Sequence, residues 1–216
     1  MKKIKAVLFD MDGLMIDSES LHFQAFSQIL KKFGKIFTEE ENIKIYIGTS
    51  DADCAKDMVF RFNLPISAAR LLRKKRDIFR QLLKNQLIVQ PGLFELLKEL
   101  SENSYEIAIG SSSTLETIKT VIDKLKISSL IDAYASAEEV KRAKPAPDIY
   151  LLAAKKLGVK PEECLVLEDA PKGVEAGKLA GMHVFVVPSR ETKGQDFALA
   201  DKVLNSLSEV FELINP

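Results

Sequence analysis

The chain has 216 residues, with 31 Lys plus Arg against 31 Asp plus Glu and a formal net charge of +0 at pH 7. That length holds one domain of ordinary size with a modest insertion, and the balanced charge supplies no field to gather nucleic acid or an anionic membrane surface. Cys54 and Cys164 are too far apart in sequence to suggest a disulfide framework or a metal-ligand spacing, no apolar run approaches a membrane span, and the basic start MKKIKAVLF meets Asp10 too soon for a secretion signal; a cytoplasmic protein is expected.

In chain order, Lys5 to Phe9 is apolar and β-branched enough for a buried parallel strand. From about Asp17 to Gln90 the pattern is helical throughout. Leu21, Ala25, Phe26, Ile29, Leu30 and Phe33 form one stripe, Thr38 with Glu41 reads as a capping box, and Leu71, Leu72, Ile78, Phe79, Leu82 and Leu83 form a further stripe with basic residues between. The basic run Lys74, Lys75, Arg76 is expected to be a solvated helix face. This insertion is hinged on linkers near Leu14 to Asp17 and near Val89 to Gly92, where it is well sited to act as a lid.

Beyond it, strand-like runs at Glu106 to Ile109, Cys164 to Leu167 and Val184 to Val187 alternate with helical spacing at Leu93 to Leu100, Leu115 to Leu125 and Ile149 to Leu157. Alternation of this kind predicts a doubly wound, Rossmann-like parallel α/β core over residues 1–16 and 90–216, with an α-helical cap over 17–89.

The chemistry gathers where the strands end. VLFDMDG delivers Asp10 and Asp12 one residue apart; neighbouring carboxylates raise each other's pKa, so such a pair implies a cation between them or divided roles. After IAIG come Ser111, Ser112 and Ser113, with Thr114 as the cap of the next helix, so hydroxyls and free N–H groups can face an anion. In AKPAPDIY, Lys144 sits in a proline-rich connection that holds it near the sheet, unlike lysines on helix faces. Glu168 and Asp169 then make a second acidic pair at a strand end. Oxygen ligands without a His/Cys cluster suit Mg²⁺, and the added lysine and hydroxyls suit a phosphate: a phosphoryl-transfer site. His22 and His183 are isolated in sequence and do not change that reading.

FDMDGLMIDSE, IGSSS, AKPAPDIYLLAAKKLG and LVLEDAPKGVEAGKLAG together resemble the haloacid dehalogenase superfamily, in family order and from end to end of the chain. The placement of the insertion resembles the helical-cap subgroup that includes β-phosphoglucomutase and small phosphatases for sugar phosphates and pseudouridine 5′-phosphate. The resemblance implies Asp10 as the nucleophile that forms an aspartyl-phosphate and Asp12 as the general acid/base, its backbone carbonyl also on Mg²⁺. It further implies Asp10 and Asp169 as metal ligands with Glu168 beside them, Ser111 and Lys144 as phosphate contacts with Ser112 alongside, and His22 as a substrate contact or a polar residue on the first cap helix; Thr49 is a further cap candidate for substrate contact. The mutases place an arginine after a Gly-x-Ser stretch to hold a second phosphate, and this chain reads Gly48, Thr49, Ser50, Asp51 there.

A carboxylate in that place argues for a Mg²⁺-dependent phosphatase of a small phosphorylated metabolite, a sugar phosphate or nucleoside monophosphate, over a sugar-phosphate mutase. A catalytically idle phospho-ligand-binding regulator would be expected to have lost a catalytic carboxylate, and none is lost. The expected partner is the metabolite alone, with no nucleic acid or membrane, and the chain is expected to act as a monomer or weak homodimer.

Overall fold

The computed structural model describes residues 3–46, 49 and 51–215. In chain order its elements are β1 (Ala6–Phe9), β2 (Ile16–Asp17), α1 (Glu19–Lys32), α2 (Glu39–Glu41), α3 (Asp51–Arg61), α4 (Ala68–Gln86), β3 (Ile88–Val89), α5 (Leu93–Glu102) and β4 (Glu106–Ser111). There follow α6 (Leu115–Leu125), β5 (Ala133–Ser136), α7 (Asp148–Leu157), β6 (Cys164–Glu168), α8 (Pro171–Leu179), β7 (His183–Val186), β8 (Lys202–Val203) and α9 (Val210–Ile214). Two compact units result, one of Met1–Asp17 with Ile88–Pro216 and one of Ser18–Leu87. The boundaries fall one residue later at the first crossing and two earlier at the second than the apolar patterning suggests.

The first unit is built on a six-stranded parallel sheet in the order β5-β4-β1-β6-β7-β8. Every residue of β1 and β6 is buried, which is why both read as continuous apolar runs rather than alternating ones. Ala6, Leu8, Val166 and Val184 share a core cluster with Ile149 and Ala153 of α7 and Val174 and Ala176 of α8, while α5 packs on β4. Because β1 is central and the chain turns from one side of it to the other between β5 and β6, the sheet has a switch point at β1, where ligands of open α/β sheets bind beyond the carboxyl ends. Cys164 belongs to this core and Cys54 to the core of the helical unit; both are free thiols, pushed up to about 12 and about 11 respectively, chiefly by burial.

Two strands and a ladder go beyond the patterning. β5 reads AYAS and lacks the β-branched signal, yet it pairs with β4 from Ala108↔Ala133 to Ser111↔Ser136; β8 is an exposed two-residue edge. The linkers carry strand rather than only hinge: β2 and β3 pair antiparallel, Ile16↔Val89 and Asp17↔Ile88, in elements too short to show a period of two.

In the second unit, α1 and α3 both pack on α4. The stripe of α1 is buried at Leu21, Ala25, Phe26, Ile29 and Leu30, and that of α4 at Leu71, Phe79, Leu82 and Leu83. The capping box is present: Thr38 Oγ1 accepts from the Glu41 N–H, and the Glu41 carboxylate accepts from the Thr38 N–H.

Candidate active site

Asp10 follows β1 directly, and its N–H donates to the Leu167 carbonyl of the neighbouring β6, so the backbone ladder fixes where its side chain starts. The carboxylate is buried, and Lys144 Nζ donates to its Oδ1 at 2.5 Å. The same ammonium donates to Glu168 Oε1 at 2.8 Å, to the Tyr150 hydroxyl at 2.8 Å and to the Gly110 carbonyl at 3.0 Å. Lys144 is thus tied to three strand ends, those of β1, β4 and β6.

Glu168 closes β6 and is fully enclosed. Its Oε1 also accepts from the Tyr150 hydroxyl at 2.5 Å, and its Oε2 accepts from the N–H groups of Asp169 at 3.0 Å and Ala170 at 3.2 Å, the orphan donors that open α8. Beside it stands Asp169, whose Oδ2 would lie 2.2 Å from a Cβ built on Gly13. Gly13 also holds φ at +93°, so both the tight approach and the backbone angle require glycine in the loop after Asp12.

Asp10, Glu168 and Asp169 each offer a carboxylate oxygen within 4.8 Å of the others. Burial is the main cause that pushes the Asp10 carboxyl up to about 8, with Glu168 and Asp12 adding to it and Lys144 opposing. Burial likewise raises Asp169 well above the ordinary carboxylate range, with Glu168 and Asp10 adding to it. Lys144 is pulled down by burial, but the two carboxylates it touches outweigh this and raise it. Three buried carboxylates and one ammonium leave negative charge that the described residues do not compensate. A hard, oxygen-preferring divalent cation fits that donor set.

The Asp12 carboxylate is not one of this trio. Its Oδ2 accepts from Ser113 Oγ at 2.8 Å and Ser111 Oγ at 3.1 Å, while its Oδ1 is buried with no hydrogen-bond partner among the described residues. Of the three serines, Ser112 is exposed, whereas Ser111 and Ser113 both turn to Asp12. Alternation along an extended chain separates them: residues i and i+2 share a side, and the residue between them faces away. Thr114 caps α6 by accepting from the Thr117 N–H.

Within the helical unit, no hydrogen bond or ion pair among the described residues joins His22 to Thr49. Thr49 is exposed and its carbonyl accepts from Cys54 Sγ at 3.8 Å; Gly48 and Ser50 lie outside the described residues. His22 instead joins Lys75 and Asp51. Lys75 Nζ donates to both Asp51 oxygens at 2.7 Å and contacts His22 Nδ1, and the His22 ring stacks 4.2 Å from Phe79. Lys75 is therefore not part of a solvated face: Lys74 and Arg76 are exposed, but Lys75 is 1% exposed because it stands four residues from both Leu71 and Phe79 on the buried stripe of α4. Although burial opposes it, the hydrogen bond from His22 and the charge of Lys75 hold the Asp51 carboxyl well below the usual range.

A doubly wound sheet that gathers an acidic trio, a buried lysine and paired serines beyond its central strands defines a phosphoryl-handling α/β hydrolase. The chain belongs to the haloacid dehalogenase-like hydrolases, whose family model matches residues 7–187, and with its named relatives it is a phosphoric monoester hydrolase. It is 34% identical over 97% of its length to "Probable pseudouridine-5'-phosphatase" of Drosophila melanogaster, of which the match covers 92%. It is 32% identical over 97% of its length to hexitol phosphatase B of Escherichia coli K12, covering 95% of that protein. Among solved structures it resembles a β-phosphoglucomutase of Clostridium difficile, with a TM-score of 0.78 and 28% identity, over 98% of this chain and 95% of that one.

Proposed function

We propose that the protein is a Mg²⁺-dependent phosphatase that removes phosphate from a sugar phosphate or nucleoside monophosphate by way of a phosphoryl group carried on Asp10. The observation that carries this reading is the buried Asp10 carboxylate at the end of β1, with Lys144 on its Oδ1 and within the trio shared with Glu168 and Asp169. A carboxylate nucleophile splits a difficult hydrolysis into two displacements. In the first, an Asp10 oxygen bonds to phosphorus while the ester oxygen leaves and takes a proton from Asp12. In the second, water attacks the phosphoryl group, gives its proton to Asp12 and restores the Asp10 carboxylate. Lys144 and Ser111 hold phosphate oxygens through both steps, and Lys144 offsets charge around Asp10. Asp10 and Asp169, with Glu168 beside them, would hold the divalent cation, which when bound would neutralise charge on phosphate and carboxylates together.

Hydrolysis is favoured over phosphoryl return to a second sugar by the carboxylate of Asp51, at the place in the sequence where the mutases carry an arginine. Asp51 spends both oxygens on Lys75, so that lysine's charge is already neutralised and offers little to a second phosphate. The relatives named for phosphatase activity agree with this choice, and the likeness to a mutase structure makes the alternative worth a direct assay.

A panel of phosphorylated metabolites, assayed for phosphate release with Mg²⁺ and with excess EDTA, tests both parts. Release from at least one monoester, silenced by chelator, is expected. With glucose phosphates and a trace of glucose bisphosphate, interconversion of β-glucose 1-phosphate and glucose 6-phosphate faster than phosphate release would reverse the assignment.

A further inference from the structure

Resting on that reading, we infer that Ser113 is a positioning residue for Asp12: with Ser111 it pins Oδ2 and leaves Oδ1 as the oxygen that exchanges its proton with the substrate. The two carboxylate oxygens stand in opposite situations. Oδ2 receives two hydroxyl protons, from Ser113 at 2.8 Å and Ser111 at 3.1 Å, and Oδ1 is buried without a partner among the described residues. A buried carboxylate oxygen left unpaired is costly, and such an unmet acceptor calls for a partner, which a ligand, a water or an ion can supply. The ester oxygen that departs from phosphorus is a group of the right chemistry: it needs the proton that Oδ1 would carry.

Ser113 is held for this task at both ends of its backbone. Its N–H donates to Ser111 Oγ at 3.0 Å, and its carbonyl accepts from Ser136 Oγ at 2.7 Å, a buried hydroxyl at the end of β5. Its own hydroxyl is then directed to Asp12. The division of labour between the two serines follows. Ser111 Oγ is the atom shared between Asp12 and an incoming phosphate, so when phosphate draws on Ser111, Ser113 is the contact that keeps the Asp12 rotamer fixed. Orientation of an acid by a second group is worth part of the full general-acid advantage, which is roughly a hundredfold to ten-thousandfold.

The test is the leaving-group dependence of kcat/KM, which reports the transfer to Asp10. With Mg²⁺ present, 4-nitrophenyl, phenyl and 4-methoxyphenyl phosphate are compared in wild type, Ser113→Ala and Ser113→Thr, with inhibition by inorganic phosphate measured alongside. A poor leaving group needs the Asp12 proton and a good one hardly does. Ser113→Ala is expected to lose about tenfold or more on 4-methoxyphenyl phosphate, a share of the general-acid term, while 4-nitrophenyl phosphate is nearly unaffected. Ser113→Thr keeps a hydroxyl and restores the wild-type slope. Inhibition by inorganic phosphate stays the same in all three. Equal losses on every ester would make Ser113 merely structural, and weaker phosphate inhibition in Ser113→Ala would make it a phosphate ligand; either overturns the inference. A wild type that releases no phosphate from any ester would instead remove the phosphatase reading beneath it.

Discussion

Asp10→Asn separates the electrostatics of the site from its turnover. In the metal-free protein, burial pushes the Asp10 carboxyl up to about 8 from an ordinary value of 3.8, so between those limits the folded state holds a proton that the unfolded chain releases. The sign is then fixed: the stability this group contributes is fully present below about pH 4 and is lost as pH rises through about 8. One proton of difference corresponds to about 1.4 kcal/mol per pH unit, so the passage from pH 5 to 7 removes a few kcal/mol. For a domain of this size that is a fall of several degrees in Tm. Asparagine matches the carboxylate in shape, can still accept from Lys144, and does not titrate. Thermal melts in EDTA across pH 5 to 8 should show the variant with a flatter profile and, above neutrality, a higher Tm than wild type. Adding Mg²⁺ should restore wild type most at the alkaline end, where the carboxylates it binds are ionised. Parallel Tm profiles for the two proteins, or a wild type that gains stability with pH, would refute the picture of an over-charged buried trio.

Asp169→Asn should raise the Mg²⁺ concentration for half-maximal phosphate release, since a neutral ligand compensates the cation less well; an unchanged metal titration would remove Asp169 from the metal site. Gly13→Ala should abolish turnover, because its Cβ would stand 2.2 Å from Asp169 Oδ2 at a φ of +93°; crystallography of the variant should find the 11–14 loop or Asp169 displaced. Lys75→Met should destabilise the protein by about 2 kcal/mol in urea titrations at neutral pH, between the limits for surface and buried pairs, because it strands an Asp51 carboxylate whose side chain is 36% exposed. A cost confined to a few tenths would mean that the pair contributes only packing.

The strand ends were the legible part of this chain. Asp10, Lys144, Glu168 and Asp169 each follow or close a recognisable apolar run or a proline-rich turn, and the parallel sheet brings them to one end. What patterning missed, it missed for particular reasons. Tyr150 sits in an apolar helix stripe and reads as core, yet its hydroxyl accepts from Lys144 and donates a hydrogen bond to Glu168; a tyrosine where the stripe asks only for bulk was the available signal. Ser112 and Ser113 differ only in which side of an extended segment they occupy, which the period of two could have told apart. Lys75 was concealed among exposed basic neighbours, although its spacing from Leu71 and Phe79 places it on the buried stripe. β5 was invisible because AYAS offers a single strand-favouring residue, Tyr134, and no β-branched one, and its place is set by pairing with β4.

The antiparallel pairing of β2 with β3 bears on how the chain finds its fold. β1 must pair with β4, Ala6 opposite Glu106, across the whole helical segment. A closed loop loses entropy with the logarithm of its length, and contacts distant in sequence slow folding. Ile16↔Val89 and Asp17↔Ile88 bring the two ends of that segment side by side. Once residues 18–87 have condensed on their own core, the loop that the sheet must close shrinks to about thirty residues, which lowers its closure entropy by about 1 kcal/mol. An insertion tied at its base in this way shortens the conformational search for the central strand pair, where an unstructured segment of equal length would prolong it.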